Sequence, residues 1–205
     1  MVVIAMASAI TGINRSVAAQ IETLGPKTFF VFRFFQGGIN ISDGSDEMSP
    51  WRRNPWLSVE EAELLRKVPG LRSVTWRENN SGPVSSGSVS LTSVNVEGFS
   101  PDWILTQGGE IIAGRNFTQL EYAANSRVAV INDHLAQTLW PGLDPIGRRF
   151  KVFGEHFEVV GLYAEPSSLF GNNESPLVTI PHSTFTKVAD YWKGWMMFAV
   201  IPEPE

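Results

Sequence analysis

The segment from Arg127 to Tyr163, RVAVINDHLAQTLWPGLDPIGRRFKVFGEHFEVVGLY, constrains the fold more than any other part of the chain. Val128 to Ile131 is an unbroken apolar run, the pattern of a strand covered on both faces. Asn132 or Asp133 is placed to cap a short helix, with Leu135, Ala136 and Leu139 on one side of it. Pro141 cannot continue that helix and Gly142 permits the turn away. Asp144-Pro145 and Gly147 then fix the direction of a stiff loop.

Beyond the loop, a two-residue turn at Gly154-Glu155 would pair Phe153 with His156, Val152 with Phe157, Lys151 with Glu158 and Phe150 with Val159. That register places Phe150, Val152, Phe157 and Val159 on one face and sets Lys151 against Glu158 on the other. A one-residue slip would bury the charges.

The ordered run VAVINDHLAQTLWPGLDPIGRRF, a hairpin, FEVVGLY and later PLVTIPHSTF resembles the periplasmic core domain of ABC-transporter permeases of the macrolide-exporter, MacB-like type, within the FtsX-like permease superfamily. The matching pieces are Val128 to Asn132, Leu135-Ala136, Trp140-Pro141-Gly142, Asp144 to Arg148 and Val159-Val160-Gly161. The match is looser over Ser100 to Trp103, Gly108 to Gly114, Arg115 to Phe117 and Glu121. The resemblance implies an α+β fold in two lobes: a porter-like α/β lobe from residues 11–90 and 181–205, and an inserted, mainly β lobe from 91–180. Residues 1–10, MVVIAMASAI, are about half the length of a spanning helix. A buried strand or helix start is one reading of them, and the resemblance favours the other, the outer end of a transmembrane helix. Members of the family continue through another helix and strand, so it also implies a chain cut short or a shortened domain.

Function follows as an expectation of the same kind. The domain would lie outside the bacterial inner membrane, periplasmic or extracellular, perform no catalysis and hold no cofactor. It would relay conformational change driven by a cytoplasmic ATPase to substrates or partner proteins. Its partners would be the transmembrane part of the same permease, that ATPase, a second copy in a homodimer and, where one is used, a periplasmic adaptor. The alternative is a free-standing periplasmic ligand-binding module.

Along the rest of the chain, Ile13, Val17, Ile21 and Leu24 form the stripe of a helix over 12–24, stopped by Gly25-Pro26. Phe29 to Phe35, FFVFRFF, reads as a core strand whose Arg33 reaches an edge or a carboxylate. A hydrophobic surface for a partner is the other reading. Residues 37–50 read as a loop. Ser58 with Glu61 makes a capping box for a helix to Lys67, with Leu57 and Ala62 as its hydrophobic staple. Val74 to Arg77 reads as a short strand, Asn79 to Ser90 as a polar excursion, and Leu91 to Gly98 as an alternating strand. After a loop over 165–175 come a strand at 176–181, a weak helix at 184–191 and a last strand at 195–201.

Candidate chemistry is sparse. The net charge of -5, with 16 basic residues and no polybasic run, excludes a field that gathers nucleic acid. There is no cysteine, and His134, His156 and His182 show no metal-ligand spacing. Asp133 and His134 with His156 or Glu158 form the only imaginable acid/base set, and Asp133 as a helix cap with His134 on the solvent side explains them better. Of seven tryptophans, Trp140, Trp192 and Trp195 fall in apolar segments and read as core. Trp51 and Trp56 stand beside Arg52 and Arg53 in a proline-bearing turn. Trp51, Arg52, Arg53 and Trp56 are therefore the candidate partner contacts.

Overall fold

A computed structural model describes residues 28–33, 54–166, 175–191 and 193–203. The expected helix at 12–24, residues 1–10, the loop at 37–50 and Trp51, Arg52, Arg53 and Trp192 lie outside them. Among the described residues the elements run β1 (Phe29–Phe32), α1 (Val59–Leu65), β2 (Leu71–Ser86), β3 (Val89–Phe99), α2 (Ile104–Gln107), β4 (Glu110–Gly114), α3 (Gln119–Ala123), β5 (Val128–Asn132), α4 (Asp133–Leu139), β6 (Arg149–Val152), β7 (Glu155–Ala164), β8 (Leu177–Pro181), α5 (His182–Val188) and β9 (Met197–Pro202). The class is α+β. The strands join in one mixed sheet of order β1-β9-β2-β3-β8-β5-β7-β4, with β6 pairing both β2 and β7.

That last pairing closes β2, β3, β8, β5, β7 and β6 into a hydrogen-bonded ring. β3 runs parallel to β8 and β5 parallel to β7, while the other four joins are antiparallel. Closure leaves these strands no free edge along the paired stretches. The largest core is lined by their inward residues, among them Val84, Val96, Ile131, Phe150, Phe157, Val159 and Ile180.

The central segment folds largely as its residues dictate. β5 is buried from Ala129 onward. Asn132, not Asp133, caps α4, and its amide does more than cap: Oδ1 accepts from the backbone N–H of both Leu135 and Leu177 at 3.1 Å, and Nδ2 donates to Ser175 O at 2.8 Å. Leu135, Ala136, Leu139 and Trp140 pack into the ring core. The loop after α4 is held by the Arg148 guanidinium donating to Asp144 O at 2.6 Å and by Gly147 N–H donating to Val159 O at 2.8 Å.

The hairpin keeps its predicted apolar face, but the turn lies one residue earlier. Phe153 and Gly154 occupy it, both with positive φ (51° and 83°). The pairs are therefore Val152 with Glu155, Lys151 with His156, Phe150 with Phe157 and Arg149 with Glu158. Moving the turn by one shifts each pair by two, so the faces are unchanged. The cause is tertiary. Phe153 N–H donates to Pro83 O at 3.1 Å, and its ring fills the space over Gly82, where a Cβ would stand 2.0 Å from it.

Two other expectations are corrected. Asn79 to Ser90 is no excursion: β2 continues to Ser86 and turns through Gly87 into β3. Pro83 is tolerated because it sits at a register shift between Gly82 and Val84, where no ladder N–H is needed. Nor is the described part of the phenylalanine run, residues 29–33, a core strand. β1 is a four-residue strand at one end of the sheet, with Phe29, Phe30 and Phe32 48, 41 and 50% exposed.

At that end a second core gathers Ala62, Val74, Trp76, Met196, Phe198 and Val200. α1 docks there with its capping box as read: Ser58 Oγ accepts from Glu61 N–H and the Glu61 carboxylate accepts from Ser58 N–H. Leu57 and Ala62 meet in the same cluster. A third core stacks Phe99 on Trp103 and sets Tyr163 edge-on against Trp103.

Candidate functional site

The end of the sheet built by β1 and β9 presents the chain's most concentrated exposed apolar surface among the described residues. β1 pairs with β9 through Phe32–Met197 and Phe30–Ala199, and β9 pairs with β2 through Met197–Arg77. Cross-strand partners share a face. Phe32, Met197 and Arg77 therefore form one row, with Phe30 beside it, its ring centroid 6.2 Å from that of Phe32. Trp195 joins them, and here the sequence misled: it is 45% exposed and not core. A shallow cavity of about 180 Å³ opens between Phe32, Arg33, Arg77, Asn79, Trp195 and Met197.

Arg33 and Asn54 clamp one another across 21 residues. The guanidinium Nε donates to Asn54 O at 2.8 Å and the Asn54 amide donates to Arg33 O at 2.7 Å. The guanidinium also lies 5.9 Å from the ring centre of Trp56, which is exposed. Of the four candidate contacts, Trp56 is thus placed next to the β1 strand by Arg33, while Trp51, Arg52 and Arg53 fall outside the described residues.

Where α5 packs on β2 and β3 lies a cluster that sequence reasoning missed. Glu78 and His182 are buried, with His182 Nε2 2.9 Å from Glu78 Oε2. The Tyr191 hydroxyl donates to the same carboxylate oxygen. Burial and the facing carboxylate push the Tyr191 phenol well above its ordinary range. His182 opens α5 and Tyr191 follows it, so one carboxylate fastens both ends of that helix to β2. Phe185, between them, lies over Gly98 of β3. The cluster works as a buried fastener. No signal in the sequence pointed to it, because its members stand 104 and 113 residues apart.

Asp133 and His134 are exposed at the start of α4, and neither meets His156 or Glu158 in a hydrogen bond among the described residues. A separate cleft of about 250 Å³ is lined by Arg77, Glu97, Tyr163 and Glu165. Burial raises the Glu97 carboxyl, opposed by Arg77 at 3.2 Å. Burial also raises Glu165, and the charge of Glu97 adds to it. No group of three or more His, Cys, Asp or Glu among the described residues is arranged to hold a metal ion. No helix among them is long and apolar enough to cross a membrane.

A mixed sheet closed on itself, flanked by short helices and ending in an exposed aromatic edge, defines an α+β domain. The chain belongs to the MacB-like periplasmic core domain family, whose model matches residues 1–204. It is 25% identical over 154 residues to the macrolide export ATP-binding/permease protein MacB of Mannheimia succiniciproducens, covering 75% of this chain and 23% of that protein. It is 27% identical over 130 residues to the protein of the same name from a Shewanella species, covering 63% and 20%. The chain thus spans about a quarter of the length of the curated relatives it matches.

Among solved structures, the periplasmic region of MacB from Actinobacillus actinomycetemcomitans superposes with a TM-score of 0.71 at 21% identity, covering 89% of this chain and 78% of that one. The extracellular domain of the noncanonic ABC-type transporter YknZ from Gram-positive bacteria gives 0.64 at 17% identity, covering 87% and 83%. At these identities the likeness is one of fold.

Proposed function

We propose that the chain is the extracytoplasmic domain of an inner-membrane ABC-transporter permease. It carries no chemistry of its own and relays ATP-driven conformational change to a substrate or partner protein. ATP hydrolysis belongs to a separate nucleotide-binding part, and the working transporter pairs two copies. What supports this reading, beyond family membership, is the closed ring of six strands. A relay must transmit displacement without deforming, and a ring with no free edges and a stiff α4–β6 loop is suited to that. The porter-like lobe of 11–90 and 181–205 and the mainly β lobe of 91–180 would move together, because β2 of the first closes the ring with strands of the second. The second core supports the division, since its buried members all come from the first of these sets. We place partner contact on the aromatic end, with Trp51, Arg52, Arg53 and Trp56 as contributors.

The test uses the full-length transporter. Asp144→Gly softens the α4–β6 loop at an exposed position, removing the carboxylate that accepts from Ile146 N–H at 3.0 Å. Transport should fall at least tenfold while ATP hydrolysis continues, measured together in proteoliposomes. Unchanged transport in a correctly folded variant would remove the relay reading.

A further inference from the structure

The outer face of the ring carries a feature that the relay does not use. β6 joins β2 through only two pairs, Val84–Val152 and Ser85–Lys151, and joins β7 through Lys151–His156 and Arg149–Glu158. Ser85, Lys151 and His156 therefore form one row across three adjacent strands. Arg149 lies two residues along β6 on the same face. At this seam a cavity of about 450 Å³ is lined by Ser85, Ser86, Gly87, Arg149, Lys151 and His156.

The chemistry of that lining is one-sided. It holds two hydroxyls, a guanidinium, an ammonium and an imidazole, and no carboxylate, in a chain whose net charge is -5. Of the nearby acids, one is engaged elsewhere and one lies opposite Arg149 on the same face. Glu155 pairs with Arg127 at 3.0 Å, and Glu158 stands 3.9 Å from the mostly exposed Arg149. Lys151 faces His156 across the β6–β7 ladder, where an acid would give a favourable ion pair. An oxyanion seated there would pair with the Lys151 ammonium and accept from the arginine fork and the serine hydroxyls. The volume falls in the range of small-molecule sites, about 300 to 1,000 Å³, and exceeds what a bare oxyanion needs.

We propose that the β2–β6–β7 seam is a binding site for a small molecule bearing a phosphate group, held by Arg149, Lys151, His156 and the Ser85 and Ser86 hydroxyls. The proposal is independent of the relay reading. Its test is a titration of the 205-residue chain at low salt, followed by amide chemical shifts, with inorganic phosphate and with glucose 6-phosphate. Both probes should shift residues 85–87 and 149–156 and leave β1 and β9 unmoved. The ester should bind at least tenfold more tightly than the free ion. Lys151→Gln and Arg149→Gln, each exposed and expected to leave the melting temperature unchanged, should each weaken binding at least fivefold. Shifts scattered over the surface, or binding that survives both substitutions, would overturn the site. Equal affinity for the two probes would overturn the larger ligand.

Discussion

Two apolar strands of this molecule look alike in sequence and behave oppositely. Phe29–Phe32 is more hydrophobic per residue than Val128–Asn132, yet β1 is mostly exposed and β5 buried. The difference lies in their neighbours. β5 has partners on both sides, β7 and β8, and α4 follows it directly. Among the described residues β1 has one strand partner, β9. Hydrophobicity sets how much a strand gains by being covered, and topology decides whether it is.

The sharpest way to break this comparison is inside the ring. Phe157→Ala should cost about 3 to 5 kcal/mol, because the ring of Phe157 is fully buried opposite Phe150. Urea denaturation measures it, and a loss below about 1 kcal/mol would mean that the ring core is not the stability centre. Next comes the α5 contact. A Cβ at Gly98 would stand 2.5 Å from the Phe185 Cβ, so Gly98→Ala should cost about 1 to 3 kcal/mol by overpacking. A neutral Gly98→Ala would show that α5 is free to shift.

Smaller is the exposed ion pair on α3. Two hydrogen bonds from Arg115 at 2.8 Å, with the Thr118 cap, lower the Glu121 carboxyl from the ordinary 4.5 to about 2. A carboxylate lowered by folding adds stability above its unfolded value and loses it as pH falls through the folded one. Its contribution should therefore vanish between about pH 4.5 and 2, and solvent around the half-exposed Arg115 keeps it below about 1 kcal/mol. Comparing acid unfolding of the parent and Glu121→Gln isolates it, and identical curves would refute the pairing. Smallest of all, Phe30→Ser on the edge strand should change stability by only about 0.5 kcal/mol. A loss as large as that of Phe157→Ala would erase the contrast from which these predictions start.

Much of the fold was legible because its residues carry their own instructions. β5, the cap and apolar side of α4, the inward face of β6 and β7, and β8 and β9 all follow from alternation, runs and capping side chains. The continuation of β2 was not legible, because its inward positions are Glu78, Asn80 and Gly82, whose burial depends on α5, on Asp190 and on Phe153. A strand whose buried side is polar or missing shows no hydrophobic period. The turn at Phe153-Gly154 was misplaced for the same reason, since Phe153 answers to a glycine 71 residues away. β4 and α3 went unread, although Thr118 with Glu121 is the same capping box that located α1. The exposed end was the hardest to foresee, since burial there is a property of the assembled sheet.

The amide of Asn132 has a kinetic corollary. Because one oxygen serves the Leu135 and Leu177 amides together, α4 cannot fray without also releasing the start of β8. Those two protons should then exchange with solvent deuterium in a single concerted opening, at matched rates, despite lying 42 residues apart in the chain.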